Sequence, residues 1–278
     1  MQKFSWNCKG KLVSFDAPIV MAILNITPDS FYDGGVYSSE KEILHQVEKY
    51  INEGANIIDI GGASSRPNAD LISVEEELKR VEKIINLIHQ NFPEILLSID
   101  TIHCKVAEVA ISNGVSIIND ITGTNHDIKI ADVAKKYACP LIIMHTQGSF
   151  QTMHQATTYN NMLTDIYDFF VQKIRYIEEI GIKDVVIDVG FGFSKTIEQN
   201  YELLKNLNFY TTLDKPILAG MSRKSMLYKF LGIEPSTSLN ATSIVNTIAL
   251  QQGASILRVH DVKEAMECIK IYQQLQKQ

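Results

Sequence analysis

Short apolar runs rich in β-branched residues recur along the chain, each bounded by turn-forming residues. They are IVMAIL near residue 19, NIIDI near 56, ILLSI near 95, VSIIND near 115, PLIIM near 140, DVVIDV near 184, KPILAG near 215 and SILRV near 255. Their continuity predicts strands buried on both faces, as in a parallel sheet. Between most of them apolar residues fall at helical spacing, for example Val74, Leu78, Val81, Ile84, Ile85 and Ile88 after the second run. The order is β then α, repeated. Eight such units in about 240 residues predict a closed (β/α)8 TIM barrel, with an open doubly wound sheet as the alternative. The third crossover is short, yet HCKVAEVAISNG (103–114) suffices for about three helical turns. Before Pro18, FSWNC and KLVSF flank Lys9-Gly10 and predict a short N-terminal hairpin or flap. No linker divides the chain, so residues 1–278 are read as a single barrel domain.

In a barrel of this kind the site lies at the C-terminal ends of the strands. The segments that follow the eight runs are polar: NITPDSFYDGG (25–35), GGASSRP (61–67), DT (100–101), NDITG (119–123), MHTQG (144–148), DVGFGFSK (188–195), GMSRKS (220–225) and RVHD (258–261). Taken singly, several have purely structural readings. Asp or Asn after a strand can cap a turn or helix, and paired glycines can serve positive φ. The GFG at 190–192 lacks the third glycine and distal acid of a dinucleotide fingerprint. His145 and His154 have no zinc spacing and read as structural, and Arg223 could be a solvated charge or a rim ion pair.

Convergence changes that reading. Asp100, Asn119, Asp188 and Lys224 stand at the ends of apolar strands, where an unpaired polar group costs several kcal/mol. Two carboxylates, an amide and an ammonium suit a flat heterocycle with N–H donors on one edge and acceptors on another. Ser64, Ser65, Arg66, Arg258 and His260 bring hydroxyls and cations from strands two and eight, neighbours in a closed barrel, and read as an oxyanion or phosphate pocket.

Composition narrows the partners. The 278 residues carry 26 Lys and Arg against 32 Asp and Glu, a net charge of −6. That balance argues against a general nucleic-acid or anionic-membrane surface, so an anionic ligand must meet a local cluster of cations. No apolar run approaches the ~18 residues of a membrane-spanning helix. Cys8, Cys104, Cys139 and Cys268 are scattered without metal spacing, and no signal-peptide pattern is seen, so a reducing cytoplasmic setting is expected.

NITPDSFYDGG, GGASSRP, SIDT, IINDITG, DVGFGFSKT, GMSRKSM and RVHDV resemble, in order and loop position, the motifs of the dihydropteroate synthases, over residues 20–262. The resemblance implies a (β/α)8 barrel and a transferase of folate biosynthesis. Its reaction joins 6-hydroxymethyl-7,8-dihydropterin pyrophosphate to 4-aminobenzoate, giving 7,8-dihydropteroate and pyrophosphate, and sulfonamide drugs compete with 4-aminobenzoate. It implies pterin binding by Asp100, Asn119, Met144, Asp188 and Lys224, and pyrophosphate binding by Ser64, Ser65, Arg66, Arg258 and His260. Pro67, Phe193, Ser222 and Lys224 would receive 4-aminobenzoate. Catalysis would fall to Asp100, Asp188 and Lys224 with Asp33 and Phe31 of the first loop, a segment rich in Gly, Ser and Asp expected to close as a lid. Asn25 would hold Mg2+. Ser65 stands where family members more often have threonine, Ala63 where many have glutamate, and Val189 where many have proline. A homodimer built on late helices is also implied. Two alternatives remain at this point: a pterin-binding barrel of a corrinoid-dependent methyltransferase, and a non-catalytic pterin-binding module.

Overall fold

The computed structural model describes residues 3–26, 36–64 and 71–277. Phe31, Asp33, Ser65, Arg66 and Pro67 lie outside the described residues, as do residues 27–35 of the lid expected at 27–37.

All eight apolar runs form strands: β3 (Ile19–Asn25), β4 (Ile57–Gly61), β5 (Leu96–Asp100), β6 (Ile117–Asp120), β7 (Leu141–Met144), β8 (Val185–Asp188), β9 (Ile217–Ala219) and β10 (Ile256–Val259). Each pairs in parallel with the next, and Ile256↔Ile19 through Val259↔Ala22 join the last to the first. The sheet is therefore closed, and the open doubly wound alternative falls.

Strand parity explains where the chemistry sits. Side chains two apart share a face. Outward residues such as Val20, Ala22, Leu24, Ile58, Ile60, Leu97 and Ile99 enter the large core against the surrounding helices. Helix α2 (Val74–Asn91) supplies Val81, Ile84, Ile85 and Ile88 to that core, and its first turn is capped by the Ser73 hydroxyl accepting from the Glu76 amide. The short third crossover is α3 (Cys104–Ser112), which buries Val106, Ala107, Ala110 and Ile111. Nine residues span the distance because the two strands are adjacent.

Inward residues divide by height. Ile19, Met21, Ile57, Ile117, Ile142, Val186, Leu218 and Ile256 fill the lower barrel. The N-terminal hairpin, β1 (Phe4–Cys8) and β2 (Lys11–Phe15), packs Trp6, Cys8 and Phe15 into the same cluster as a plug. Its turn places Lys9 at φ 57 and Gly10 at φ 92, the doubly left-handed geometry whose twist matches the strands it joins. Two residues further along β4, β6, β8 and β10, the inward positions become Asp59, Asn119, Asp188 and Arg258. The barrel thus has an apolar floor and a charged upper layer at its C-terminal rim.

Candidate active site

Arg258 organises one side of that layer. Its Nε donates to Asp59 Oδ2 at 2.7 Å and its Nη2 to Asp100 Oδ2 at 2.5 Å. Asn119 Nδ2 donates to the same Asp59 oxygen at 3.0 Å. Asp59 is fully buried, and its Oδ1 has no hydrogen-bond partner. One guanidinium therefore joins two carboxylates, and Asn119 is held with its amide nitrogen toward Asp59. Burial, reinforced by Asp59, pushes Asp100 up to about 7 although Arg258 pulls it down. Arg258 stays a cation throughout, since its flanking carboxylates outweigh the cost of burial.

Asp188 and Lys224 face each other from the other side. Asp188 Oδ1 accepts from the Gly190 amide at 2.8 Å, so it does cap the glycine-rich turn. Its Oδ2 lies 4.0 Å from where a Cβ of Gly220 would stand. Burial raises the Asp188 pKa, and Lys224 is the strongest opposing influence. Lys224, N-cap of α7 (Ser225–Leu231), has its Nζ on the Phe191 carbonyl and 4.4 Å from the Phe193 ring centre. Burial brings its ammonium down to about 8 against the pull of Asp188. Met144 is buried and clusters with Phe193, Ile102, Ile121, Phe150 and Met153, an apolar wall beside the charged layer.

Other predicted groups among the described residues stand at or near the rim. Ser222 Oγ accepts from the His260 amide at 3.2 Å, tying the ends of β9 and β10 together. Arg223 is a rim ion pair: its Nε and Nη2 donate to the two Asp261 oxygens at 2.9 and 2.8 Å. Ser64 follows β4, and Asn25 ends β3 directly beside Gly61. A Cβ on Gly61 would stand 3.4 Å from Asn25 Oδ1 and 3.9 Å from Asp100 Oδ2. The missing side chain leaves an oxygen-lined notch there. His145 is buried against Lys195, and His154 stacks on Phe193 with ring centres 5.0 Å apart. Among the described residues no three His, Cys, Asp or Glu side chains converge as metal ligands.

Sequence reading missed Asp59 and Lys195. The signal for Asp59 was present in NIIDI, a carboxylate flanked by isoleucines at the parity of an inward position. Lys195 closes DVGFGFSK, where a lysine after a loop reads as solvated, but it is buried. Arg258 was grouped with the rim cations, and its guanidinium is shared between Asp59 and Asp100.

Such a layer can clasp a flat, polar ring. Carboxylates at Asp100 and Asp188 can accept N–H groups and stabilise positive charge, Lys224 can donate from one edge, and a low-dielectric floor would strengthen each interaction.

Comparison with known proteins gives a consistent result. The sequence model of the family described as pterin binding enzyme matches residues 21–260. Dihydropteroate synthase from Escherichia coli (strain K12) is 39% identical over 265 residues, covering 95% of this chain and 93% of the relative. The structure of Xanthomonas albilineans dihydropteroate synthase with 4-aminobenzoic acid aligns with a TM-score of 0.91 at 33% identity, covering 99% of this chain and 98% of that one. Yersinia pestis dihydropteroate synthase in a sulfonamide drug complex aligns with a TM-score of 0.91 at 36% identity, covering 99% of this chain and 100% of that one.

Proposed function

The chain belongs to the dihydropteroate synthases of the pterin binding enzyme family, and we propose that its barrel mouth joins 6-hydroxymethyl-7,8-dihydropterin pyrophosphate to 4-aminobenzoate, releasing 7,8-dihydropteroate and pyrophosphate. The observation that carries this reading is the convergence of Asp100, Asn119, Asp188 and Lys224 at one rim above an apolar floor. The relatives favour it over the corrinoid-dependent methyltransferase and the non-catalytic module.

Cleavage of the C–O bond next to an electron-rich dihydropterin leaves positive charge spread over the ring. Asp188 accepts ring N–H groups on one edge, Asp100 and Asn119 hold the other, and Lys224 reaches the carbonyl side. The carboxylates stabilise the developing cation while Arg258, His260 and Ser64, with Ser65 and Arg66, receive the departing pyrophosphate. Phe193, Ser222 and the Lys224 stem, with Pro67, form the surface for 4-aminobenzoate, where sulfonamides would compete. The arylamine attacks the cationic carbon without a strong general base.

Mg2+ fits the notch at Gly61. Asn25 Oδ1 is a hard oxygen donor facing it, and Asp100 Oδ2 supplies negative charge across it. A site with one protein ligand suits an ion that keeps water and takes substrate phosphate oxygens. Bound there, Mg2+ would offset charge on the pyrophosphate.

The reading includes a homodimer, supported by large apolar side chains left exposed on late helices: Phe230 and Leu231 on α7, Ile244 on α8 (Leu239–Gln251) and Ile271 on α9 (Val262–Leu275). Equilibrium sedimentation of Phe230→Glu against the parent chain tests it. A cytoplasmic setting is supported by the four cysteines being free thiols, and no helix among the described residues is long and apolar enough to cross a membrane.

The testing experiment is a product assay with dihydropterin pyrophosphate, 4-aminobenzoate and Mg2+, each omitted in turn. Dihydropteroate and pyrophosphate should appear together and only in the complete mixture. Binding of the pterin without turnover contradicts the reading.

A further inference from the structure

Lys195 is a buried lysine with no task in the proposed reaction, and burial brings its ammonium down from the usual value to about 7. It is 8% exposed, at the foot of the loop between β8 and α6 (Ile197–Lys205). Its Nζ lies 3.0 Å from Gly190 O, 3.0 Å from Phe193 O and 3.3 Å from His145 Nδ1. An ammonium has three donors, and three acceptors meet it. Burial and the neighbouring ammonium press His145 down to about 2, so the ring is neutral and Nδ1 can accept.

Two of those acceptors belong to one loop, which Lys195 draws closed from inside. Gly190 permits the turn: it sits at φ 74, and a Cβ there would stand 2.1 Å from the His145 carbonyl oxygen. Between the two held carbonyls, Phe191 offers its own carbonyl to Lys224 Nζ, and the Phe193 ring lies beneath the same nitrogen. The outer side of the loop is fastened through Ser194, at φ 51. Its N and Oγ both donate to Met153 O at 2.7 Å, Gln147 N donates to its Oγ at 2.8 Å, and Tyr159 OH donates to its carbonyl at 2.9 Å.

We propose that Lys195 is a positioning residue for the arylamine subsite, setting through the carbonyls of Gly190 and Phe193 both the Phe193 ring and the Phe191 carbonyl that anchors Lys224. The proposal rests on the reading above, in which Phe193 and Lys224 receive 4-aminobenzoate. Removing Nζ takes the partner from the Phe193 carbonyl and leaves Gly190 O with the Phe193 amide, and the loop relaxes to recover a partner for the Phe193 carbonyl. Asp100, Asn119 and Asp188 stand on the strands themselves, so the pterin side, which meets the loop through Lys224 and the Gly190 amide, moves less than the Phe193 surface.

The test is steady-state kinetics of Lys195→Met with each substrate varied separately. The KM for 4-aminobenzoate should rise about tenfold or more while that for the pterin pyrophosphate stays within about threefold, the pattern of a displaced binding surface. A merely architectural lysine would lower kcat with the folded fraction and leave both KM values alone. That outcome, or equal rises in both, overturns the proposal. If Lys195→Met does not fold, Tyr159→Phe removes only the outer hydroxyl fastening. A selective rise of about threefold in the 4-aminobenzoate KM then supports the proposal, and unchanged KM values overturn it. Should the unsubstituted enzyme make no dihydropteroate, the functional reading fails first. Amide exchange at Gly192 and Phe193 then tests the loop by itself: about tenfold faster exchange in Lys195→Met supports the clamp, and unchanged exchange overturns it.

Discussion

Arg258 on β10 and Asp59 on β4, 199 residues apart, meet inside the barrel with Nε 2.7 Å from Oδ2. The contact passes above β3, which lies between those strands, and the same guanidinium reaches Asp100 on β5. A barrel closed by backbone pairing alone would leave its upper layer free to shift. This cross-brace fixes Asp59 and Asp100 relative to one another. Removing Asp59 leaves Arg258 with one carboxylate and Asn119 without its acceptor. Asp59→Ala should lose about 3–5 kcal/mol of stability, as for breaking a buried pair from one side. Urea denaturation measures it, and a loss under about 1 kcal/mol would show that the brace adds little.

Arg258 holds Asp100 and, in the proposed reaction, also meets the leaving group, so its removal should touch both halves of the substrate. Arg258→Ala should weaken binding of dihydropterin pyrophosphate by about 2–4 kcal/mol. A pterin without the pyrophosphate should lose a smaller but measurable amount, because Asp100 no longer has its cation. Titration calorimetry with both ligands separates the contributions. Equal losses would remove Arg258 from the pyrophosphate site.

In the proposed reaction Asp100 acts as carboxylate and Lys224 as ammonium. Burial places the first at about 7 and the second at about 8. Activity should therefore rise as pH passes through about 7 and fall as it passes through about 8. The alkaline limb belongs to Lys224. Lys224→Arg, whose guanidinium stays charged, should lower the rate and abolish that limb. Retention of the limb in the pH profile of the variant would assign it to another group.

Glu77 on α2 is 1% exposed, and its Oε1 has no hydrogen-bond partner. Burial pushes the carboxyl from 4.5 up to about 7. A native pKa above the unfolded one means the folded chain holds extra protons between those values. The stability from that proton is present below about 4.5 and lost as pH rises through about 7. Glu77→Gln keeps the shape and the acceptor for Thr101 while removing the charge. It should stabilise the protein by about 1–3 kcal/mol at pH 8 and by about a quarter of that at pH 5. Thermal unfolding at the two pH values checks this, and a gain of equal size at both would refute it.

The architecture was legible because the parallel strands are buried on both faces, and continuous apolar runs such as IVMAIL and DVVIDV mark them without tertiary information. Even the Lys9-Gly10 turn announced its hairpin. Site residues at strand ends, Asp100 and Asp188 among them, were legible for the same reason, as polar side chains where an apolar run stops. Asp59 was hidden inside a run, and only the inward parity of a closed barrel reveals that its carboxylate faces Arg258. Lys195 was hidden because two of its three acceptors are main-chain carbonyls, which no side-chain pattern encodes.

Asp188 decides the central claim, that strand-end carboxylates recognise the pterin and stabilise its developing charge. Its Oδ1 accepts from the Gly190 amide, so the residue has a structural duty that asparagine can keep, leaving the melting temperature of Asp188→Asn close to that of the parent. Asparagine cannot accept two ring N–H groups or answer a cation. The variant should lose roughly 3 kcal/mol of transition-state binding, about a hundredfold in kcat/KM, close to the loss for Asp188→Ala. Steady-state kinetics of the folded Asp188→Asn enzyme is the measurement: a hundredfold loss at unchanged stability is the predicted result, and a kcat/KM within about threefold of the parent would contradict the claim.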